Sequence, residues 1–192
     1  MKVFIAVATA ALALLALSCG EEEGPTGPAP YPALDSPDHV LTNVEMSFHR
    51  RDDARLRAAL DEDAFVFYFN PQDVGERVGN YIIPESWAYA EFYHTCGNMF
   101  DDAYTISLEI QPIGKPPADA TEYTAFNVAI NLLCMTDEQN GFRADKGYCN
   151  FRFRKDTDAR WRLVKWWDYT MSFDESGRAE PTSFGRVLAL YY

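Results

Sequence analysis

The spacing of hydrophobic and polar positions changes once along the chain, from a helical period to an alternating one. Downstream of Ser36, apolar residues recur every three or four positions, which places them on one face of a helix. Ser36 is a good N-cap, Pro37 suits the first helical turn and Asp38 complements the helix dipole. The pattern therefore predicts a first helix whose apolar face is made of Val40, Leu41, Val44 and Phe48.

Two further helices are predicted before the spacing changes. Residues 55–60 favour a short helix capped by Asp52 or Asp53, and a longer helix is predicted from about position 84 or 85 to Phe100. The apolar stripe of the longer helix comprises Ala88, Tyr89, Phe92, Tyr93, Cys96, Met99 and Phe100. The residues predicted to lie off this stripe are Trp87, Glu91, His94 and Asn98.

Strands are predicted on both sides of the third helix. The run 64–69 is too short and too aromatic for a helix, so it is interpreted as a buried strand, and residues 70–83 are predicted to be a long loop. From residue 103 to 169, apolar and polar residues alternate, which predicts an antiparallel meander with one dry face. The predicted dry face comprises Ile106, Leu108 and Ile110, then Phe126, Val128, Ile130 and Leu132, then Cys149, Phe151 and Phe153. Because helices come first and a sheet follows, the predicted class is α+β.

The register of the last predicted strand, 161–168, decides which of its side chains face inward. Pairing Phe153 with Trp161 turns Lys165 toward the dry face unless a β-bulge intervenes. A bulge would direct Trp166 and Asp168 inward instead, and we favour this alternative.

The first 35 residues have the composition of a targeting segment followed by a tether. Lys2 precedes an uncharged apolar run, which predicts a signal peptide over residues 1–18. The residues before Cys19 resemble the cleavage box of bacterial lipoproteins, and this resemblance implies that Cys19 is acylated. The alternatives are ordinary cleavage, which leaves a free thiol at Cys19, and retention of the run as a membrane-spanning helix.

Residues 19–35 are predicted to be a flexible linker, because proline, glycine and glutamate dominate them. Acyl chains on Cys19 would then tether the folded domain to a lipid bilayer. Gly20 after the cysteine resembles the outer-membrane sorting pattern. The predicted location is therefore the cell envelope, at the outer membrane facing the periplasm if the host has two membranes.

Charge and composition narrow the classes of partner. The chain has 17 Lys and Arg against 29 Asp and Glu, a net charge of −12, which argues against binding to nucleic acid. The three histidines show no ligand spacing with the cysteines, so neither a metal nor a cofactor is predicted. Cys134 and Cys149 are predicted to lie on consecutive strands, where a disulfide is one alternative and free thiols are the other.

The order of the helices and strands, with particular residues in it, resembles the nuclear transport factor 2-like (SnoaL-like) superfamily. The resemblance covers about residues 36–170 and implies a curved sheet wrapped around two or three N-terminal helices, with a pocket between them. The segments that carry it are 49–52, 56–60, 63–67, the helix that bears Trp87, and 161–168.

The resemblance implies that side chains of this pocket would bind or transform a ligand. The pocket candidates are Tyr68, Glu91, His94, Trp166 and Asp168. The carboxylates and His94 suit proton transfer, and Tyr68 or Tyr93 suits donation to an oxyanion. None matches the catalytic sets of the steroid isomerases or dehydratases in this superfamily. Glu91 and His94 also fit a simple surface pair.

We therefore expect an envelope lipoprotein whose 36–170 domain, with the tail 171–192 packed on it, binds a small hydrophobic ligand or docks a protein partner. A homodimer is a further option for the partner. The alternative is a small acid/base enzyme of the isomerase, dehydratase or cyclase type that acts on a hydrophobic metabolite.

Overall fold

The first two helices begin where their caps predict. In a computed structural model, which describes residues 28–171 and 179–192, helix α1 spans Pro37–Arg50 and helix α2 spans Asp53–Ala59. The Ser36 hydroxyl accepts a hydrogen bond from the His39 N–H, and the Asp52 carboxylate accepts one from the Arg55 N–H. Asp52, rather than Asp53, is therefore the cap of α2. The four residues predicted for the apolar face of α1 are all buried.

The strands form a mixed arrangement. In chain order they are β1 (Val66–Tyr68), β2 (Arg77–Val78), β3 (Tyr81–Ile82), β4 (Ser86–Ala88), β5 (Thr105–Ile110), β6 (Glu122–Val128), β7 (Ile130–Met135), β8 (Gly141–Ala144), β9 (Lys146–Lys155), β10 (Trp161–Met171) and β11 (Ala179–Pro181). One sheet has the order β4-β1-β10-β9-β6 and another has the order β11-β8-β7-β5. The strands β2 and β3 form a hairpin inside the predicted long loop.

The α+β class is confirmed, but the sheets are not wholly antiparallel. The pairs β1–β10 and β8–β11 are parallel, whereas the other neighbouring strands are antiparallel. In the β1–β10 pair, a strand from the first half of the chain is hydrogen-bonded to the last long strand. The meander predicted for residues 103–169 is wrong in its strand order, because β5 pairs with β7 and β6 pairs with β9 instead of each strand pairing with the next.

The third helix, α3, spans Tyr89–Asp102 and begins later than predicted. The preceding residues form β4, which pairs with β1 and places Trp87 opposite Phe67. Because both side chains face inward, Trp87 is buried, and the prediction that it lies off the core stripe is wrong. Ala88, which was predicted on that stripe, is exposed.

A β-bulge between Leu163 and Lys165 shifts the register of β10 against β9, as we favoured. Phe153 pairs with Leu163, so the predicted pairing of Phe153 was wrong by two residues. A shift of two residues leaves the same side chains facing inward. Beyond the bulge, Trp166 and Asp168 face inward and have no exposed surface.

A second irregularity lies in β6, between Ala125 and Val128. Asn127 has φ of 55°, in the left-handed region, and its N–H donates to Asn150 Oδ1. The extra residue turns Phe126 outward, and this side chain is 69% exposed. The prediction that Phe126 lies on the dry face is therefore wrong.

The three described cysteines, Cys96, Cys134 and Cys149, are buried and free. Strand β8 pairs with β7, so Cys134 belongs to the four-stranded sheet and Cys149 to the five-stranded one. Of the two alternatives for Cys134 and Cys149, the structure therefore has the free thiols. Cys134 Sγ lies 3.2 Å from the Tyr191 hydroxyl oxygen, and Cys149 Sγ accepts a hydrogen bond from Trp166 Nε1.

Residues Tyr31–Tyr192 form one compact unit that ends in helix α4, Phe184–Ala189. The Ser183 hydroxyl caps α4 by accepting a hydrogen bond from the Arg186 N–H. Among the described residues, no helix has the length and apolarity needed to span a bilayer. The predicted signal peptide and Cys19 lie outside the described residues.

Candidate functional site

Aromatic side chains fill the space in which a pocket was expected. Phe67 from β1, Phe92 from α3 and Trp166 from β10 contact one another, with ring centroids 5.2, 5.8 and 5.8 Å apart. Phe184 of α4 stacks on Trp166 at a centroid distance of 4.6 Å and lies 5.9 Å from Phe48. All five rings have no exposed surface, so the chain itself occupies this interior.

Asp168 lies beneath the first turn of α4 and is fully buried. Its Oδ1 accepts hydrogen bonds from the Thr170 N–H at 2.8 Å and the Thr170 hydroxyl at 2.5 Å, and its Oδ2 accepts one from the Gly185 N–H at 2.8 Å. Thr170 Oγ1 in turn accepts from the Phe184 N–H. These bonds attach α4 to β10.

Burial raises the pKa of the Asp168 carboxyl to about 6, because desolvation disfavours its charged form. The hydrogen bonds from Thr170 and Gly185 act in the opposite direction. Both carboxylate oxygens are occupied by donors of the chain, so a ligand would have to displace α4 to reach them.

The other residues predicted for an interior pocket are not brought together. Trp166 is buried and donates to Cys149 Sγ at 3.1 Å. Glu91 and His94 are exposed on α3, so they do not reach the buried Asp168. Tyr93, a predicted donor to an oxyanion, is half-buried, and its hydroxyl instead donates to Asp53 at 3.2 Å.

Tyr68 lies on the outer face of the five-stranded sheet. The parallel pairing of β1 with β10 sets it beside Trp167, and the two rings stack at a centroid distance of 5.4 Å and an interplanar angle of 9°. Tyr169 follows two residues later in β10, so it faces the same side, where it contacts Tyr148 of β9 at 5.1 Å. Four aromatic side chains from three strands therefore share this outer face.

A cleft of about 430 Å³ opens beside these rings. We call it the outer aromatic cleft, and its lining consists of Tyr68, Phe69, Pro71, Val74, Glu85, Trp167 and Tyr169. Glu85 is the one charged side chain among the described residues of this lining. The Nζ of Lys165 lies close by, 5.8 Å from the Tyr68 ring centroid and 5.7 Å from that of Trp167.

The comparisons with known proteins bear on the fold alone. No protein-family model and no curated protein matches the sequence. Solved structures do match, and one of them is a nuclear transport factor 2-like superfamily protein from Salmonella enterica, with a TM-score of 0.50 and 10% identity over 73% of this chain and 90% of that one. This chain has the nuclear transport factor 2-like fold.

Two further solved structures match with similar scores. A protein from Novosphingobium aromaticivorans has a TM-score of 0.53 and 8% identity over 73% of this chain and 90% of its own. A protein from Kribbella flavida has a TM-score of 0.51 and 11% identity over 78% of this chain and 91% of its own. At such identities the nuclear transport factor 2-like fold carries no statement about function.

Sequence reasoning named one member of the outer aromatic cleft, Tyr68, but assigned it to an interior pocket on the opposite face of the sheet, and it missed the others. The last strand did carry a signal. Lys165, Trp167 and Tyr169 lie on its wet face and alternate with residues that face inward. Two aromatic residues on a wet face indicate a surface that contacts something other than water. Glu85 offered no comparable signal, because its position depends on how the loop before β4 folds.

Proposed function

We propose that this protein is a lipid-anchored module of the cell envelope that binds a small ligand and does not catalyse a reaction. The observation that carries the proposal is the filled interior, where Phe184 and Trp166 occupy the space expected for a ligand. The outer aromatic cleft then becomes the binding surface.

The size and lining of the outer aromatic cleft support a binding role. Its volume of about 430 Å³ lies within the roughly 300 to 1,000 Å³ of small-molecule sites. The rings of Tyr68, Trp167 and Tyr169 are half-buried, which holds them in place while part of their surface remains free for a ligand. Burying that surface would contribute about 25 cal/mol per Å².

Native mass spectrometry of the full chain, purified in mild detergent, tests the binding role. We expect a reproducible excess mass that is lost on denaturation and is absent from a Trp167→Leu variant. Phe126→Leu is the matched control, because Phe126 is an exposed ring outside the cleft lining. An excess mass that persists in Trp167→Leu would contradict binding at the cleft, and a clean mass would favour protein docking instead.

Acylation of Cys19 is the part of the proposal that concerns location. We expect that Cys19→Ala moves the protein out of the membrane fraction of the producing cells, because the tether then carries no acyl chain. Thr26→Ala, a small substitution in the same linker, serves as the control. Membrane association of Cys19→Ala equal to that of the unaltered chain would exclude lipidation as the anchor.

An acid/base enzyme is the second candidate function, and the raised pKa of Asp168 favours it. A carboxyl with a pKa of about 6 can exchange a proton near neutral pH. Catalysis would require α4 to leave Asp168, because Gly185 and Thr170 occupy its oxygens. Turnover of a hydrophobic metabolite that persists after replacement of Asp168, Glu91 and His94 would contradict this alternative.

A further inference from the structure

We propose that the outer aromatic cleft binds a quaternary ammonium group, carried by a small organic cation. The inference rests on the proposed binding role and goes further by naming the chemistry of the ligand. It is carried by the juxtaposition of three aromatic rings with a single carboxylate in the cleft lining.

The rings supply the main attraction. Tyr68, Trp167 and Tyr169 all line the cleft, and a ring face attracts a cation within about 6 Å of its centroid, most strongly for tryptophan. The chain already uses two of these rings in this way, since Lys165 Nζ lies within 6 Å of the Tyr68 and Trp167 centroids. Partial burial strengthens the contact because the rings are shielded from water.

The one charge in the described cleft lining favours a cation over an anion, and the positive Lys165 Nζ lies outside that lining, beside the Tyr68 and Trp167 rings. Glu85 is the one charged side chain in the described lining, and within the described part of the chain its carboxylate makes no ion pair. The whole chain carries a net charge of −12, which raises the local concentration of cations near its surface. A phosphate or carboxylate ligand would meet repulsion from Glu85 and from the net charge, and Lys165, outside the lining, is the nearby group that would attract it.

The shortage of hydrogen-bond acceptors favours a quaternary ammonium over a primary one. A primary ammonium carries three N–H donors, each of which needs an acceptor once it leaves water. Apart from Glu85 and the tyrosine hydroxyls, the lining side chains are hydrocarbon or aromatic. A quaternary ammonium has no N–H to satisfy, and the exposed Pro71 and Val74 can contact its methyl groups.

Isothermal titration of the full chain in a maltoside detergent tests the proposal with choline and 3,3-dimethylbutan-1-ol. The alcohol has the shape of choline without its charge, so the pair separates cation–π attraction from apolar burial. We expect choline to bind at least about fivefold more tightly than the alcohol. Equal affinity for the two compounds, or no binding of choline, would overturn the proposal.

Two variants locate the site. We expect Trp167→Leu to weaken choline binding at least about tenfold, because the strongest ring is removed. Glu85→Gln keeps the shape of an exposed side chain, so it is safe for folding, and we expect it to weaken choline binding and reduce its dependence on salt. Phe126→Leu should leave the affinity unchanged. Unchanged affinity in a folded Trp167→Leu protein would place choline elsewhere and refute the site.

A lipid headgroup and a soluble cation both carry this chemistry, and glycerophosphocholine separates them. Tighter binding of glycerophosphocholine than of choline would assign the group to a phospholipid headgroup, and the reverse order would assign it to a soluble cation. Either order supports the quaternary ammonium proposal.

The binding role and the ligand class can fail separately. A native mass excess that depends on Trp167 but is not displaced by choline would leave the binding role intact and refute the quaternary ammonium. If the unaltered chain shows neither a mass excess nor choline binding, the binding role and the quaternary ammonium are both refuted.

Discussion

At the scale of single residues, Asp168 shows how a buried acid becomes a structural part of this fold. Its carboxylate accepts hydrogen bonds from Thr170 in β10 and from Gly185 in α4. An ionised carboxylate in an aromatic interior is costly unless donors surround it. The tail of the chain supplies one of those donors, so the acid and the last helix depend on each other.

The pH dependence of stability tests this description of Asp168. The folded-state pKa of about 6 lies above the ordinary value of 3.8, so the folded chain binds a proton where the unfolded chain has released it. The contribution of Asp168 to the free energy of unfolding is therefore largest below about pH 4 and falls by up to about 3 kcal/mol as the pH rises to about 6 and beyond.

Urea denaturation of the unaltered chain and of Asp168→Asn, at a series of pH values, measures this contribution by difference. We expect the difference to change between about pH 4 and pH 6, because asparagine does not titrate. Asp119→Asn, at an exposed position, is the control for the substitution itself. A difference that rises with pH would mean that hydrogen bonding outweighs burial at Asp168.

At the scale of elements, helix α4 packs closely against the five-stranded sheet at Gly185. A Cβ added at Gly185 would lie 2.7 Å from Phe69 Cδ1 and 3.2 Å from both Phe67 Cε1 and Asp168 Oδ2. The backbone of α4 therefore approaches β1 so closely that glycine is the residue that fits at position 185. This close approach is what carries Phe184 into the interior.

The pair Gly185→Ala and Gly97→Ala tests the fit of α4. We expect Gly185→Ala to lower the free energy of unfolding by about 1 to 3 kcal/mol through overpacking. Gly97 lies in α3 with nothing within 4 Å of an added Cβ, so Gly97→Ala should be neutral or stabilise by up to about 1 kcal/mol. Chemical denaturation of both variants measures the effect, and equal stability of Gly185→Ala and the unaltered chain would refute the close contact.

The bulge in β10 also affects the candidate site, because it sets which side chains of the strand face inward and which face outward. Beyond Lys165, the alternation turns Trp166 and Asp168 inward and leaves Trp167 and Tyr169 outside. The same strand therefore supplies both the filled interior and the outer aromatic cleft.

At the scale of the whole molecule, the described cysteines are packing residues. Cys96, Cys134 and Cys149 are buried, and burial raises the pKa of each thiol, which lowers its reactivity. We expect the folded Cys19→Ala chain to resist alkylation by iodoacetamide, and all three thiols to react in denaturant without a reductant. Mass spectrometry counts the added groups. A count that reaches three only after reduction would restore the disulfide.

Local structural features could be predicted from the sequence wherever residues close together along the chain determine them. The Ser36 cap and the inward face of β9 depend on residues within a few positions of one another. Trp87 and Phe126 were misplaced because a distant strand pairing and a left-handed Asn127 turned them from the faces that periodicity assigned.

The sequence by itself determined the presence of the first three helices, the α+β class and the acidic charge, because composition and periodicity are local properties. Only the tertiary structure decided that Phe184 fills the interior and that Tyr68 meets Trp167 across the parallel β1–β10 pair. Tyr68 and Trp167 are about 100 positions apart, and no local pattern says which distant strand will be its neighbour. The candidate site exists through that pairing, so it became visible only in the folded chain.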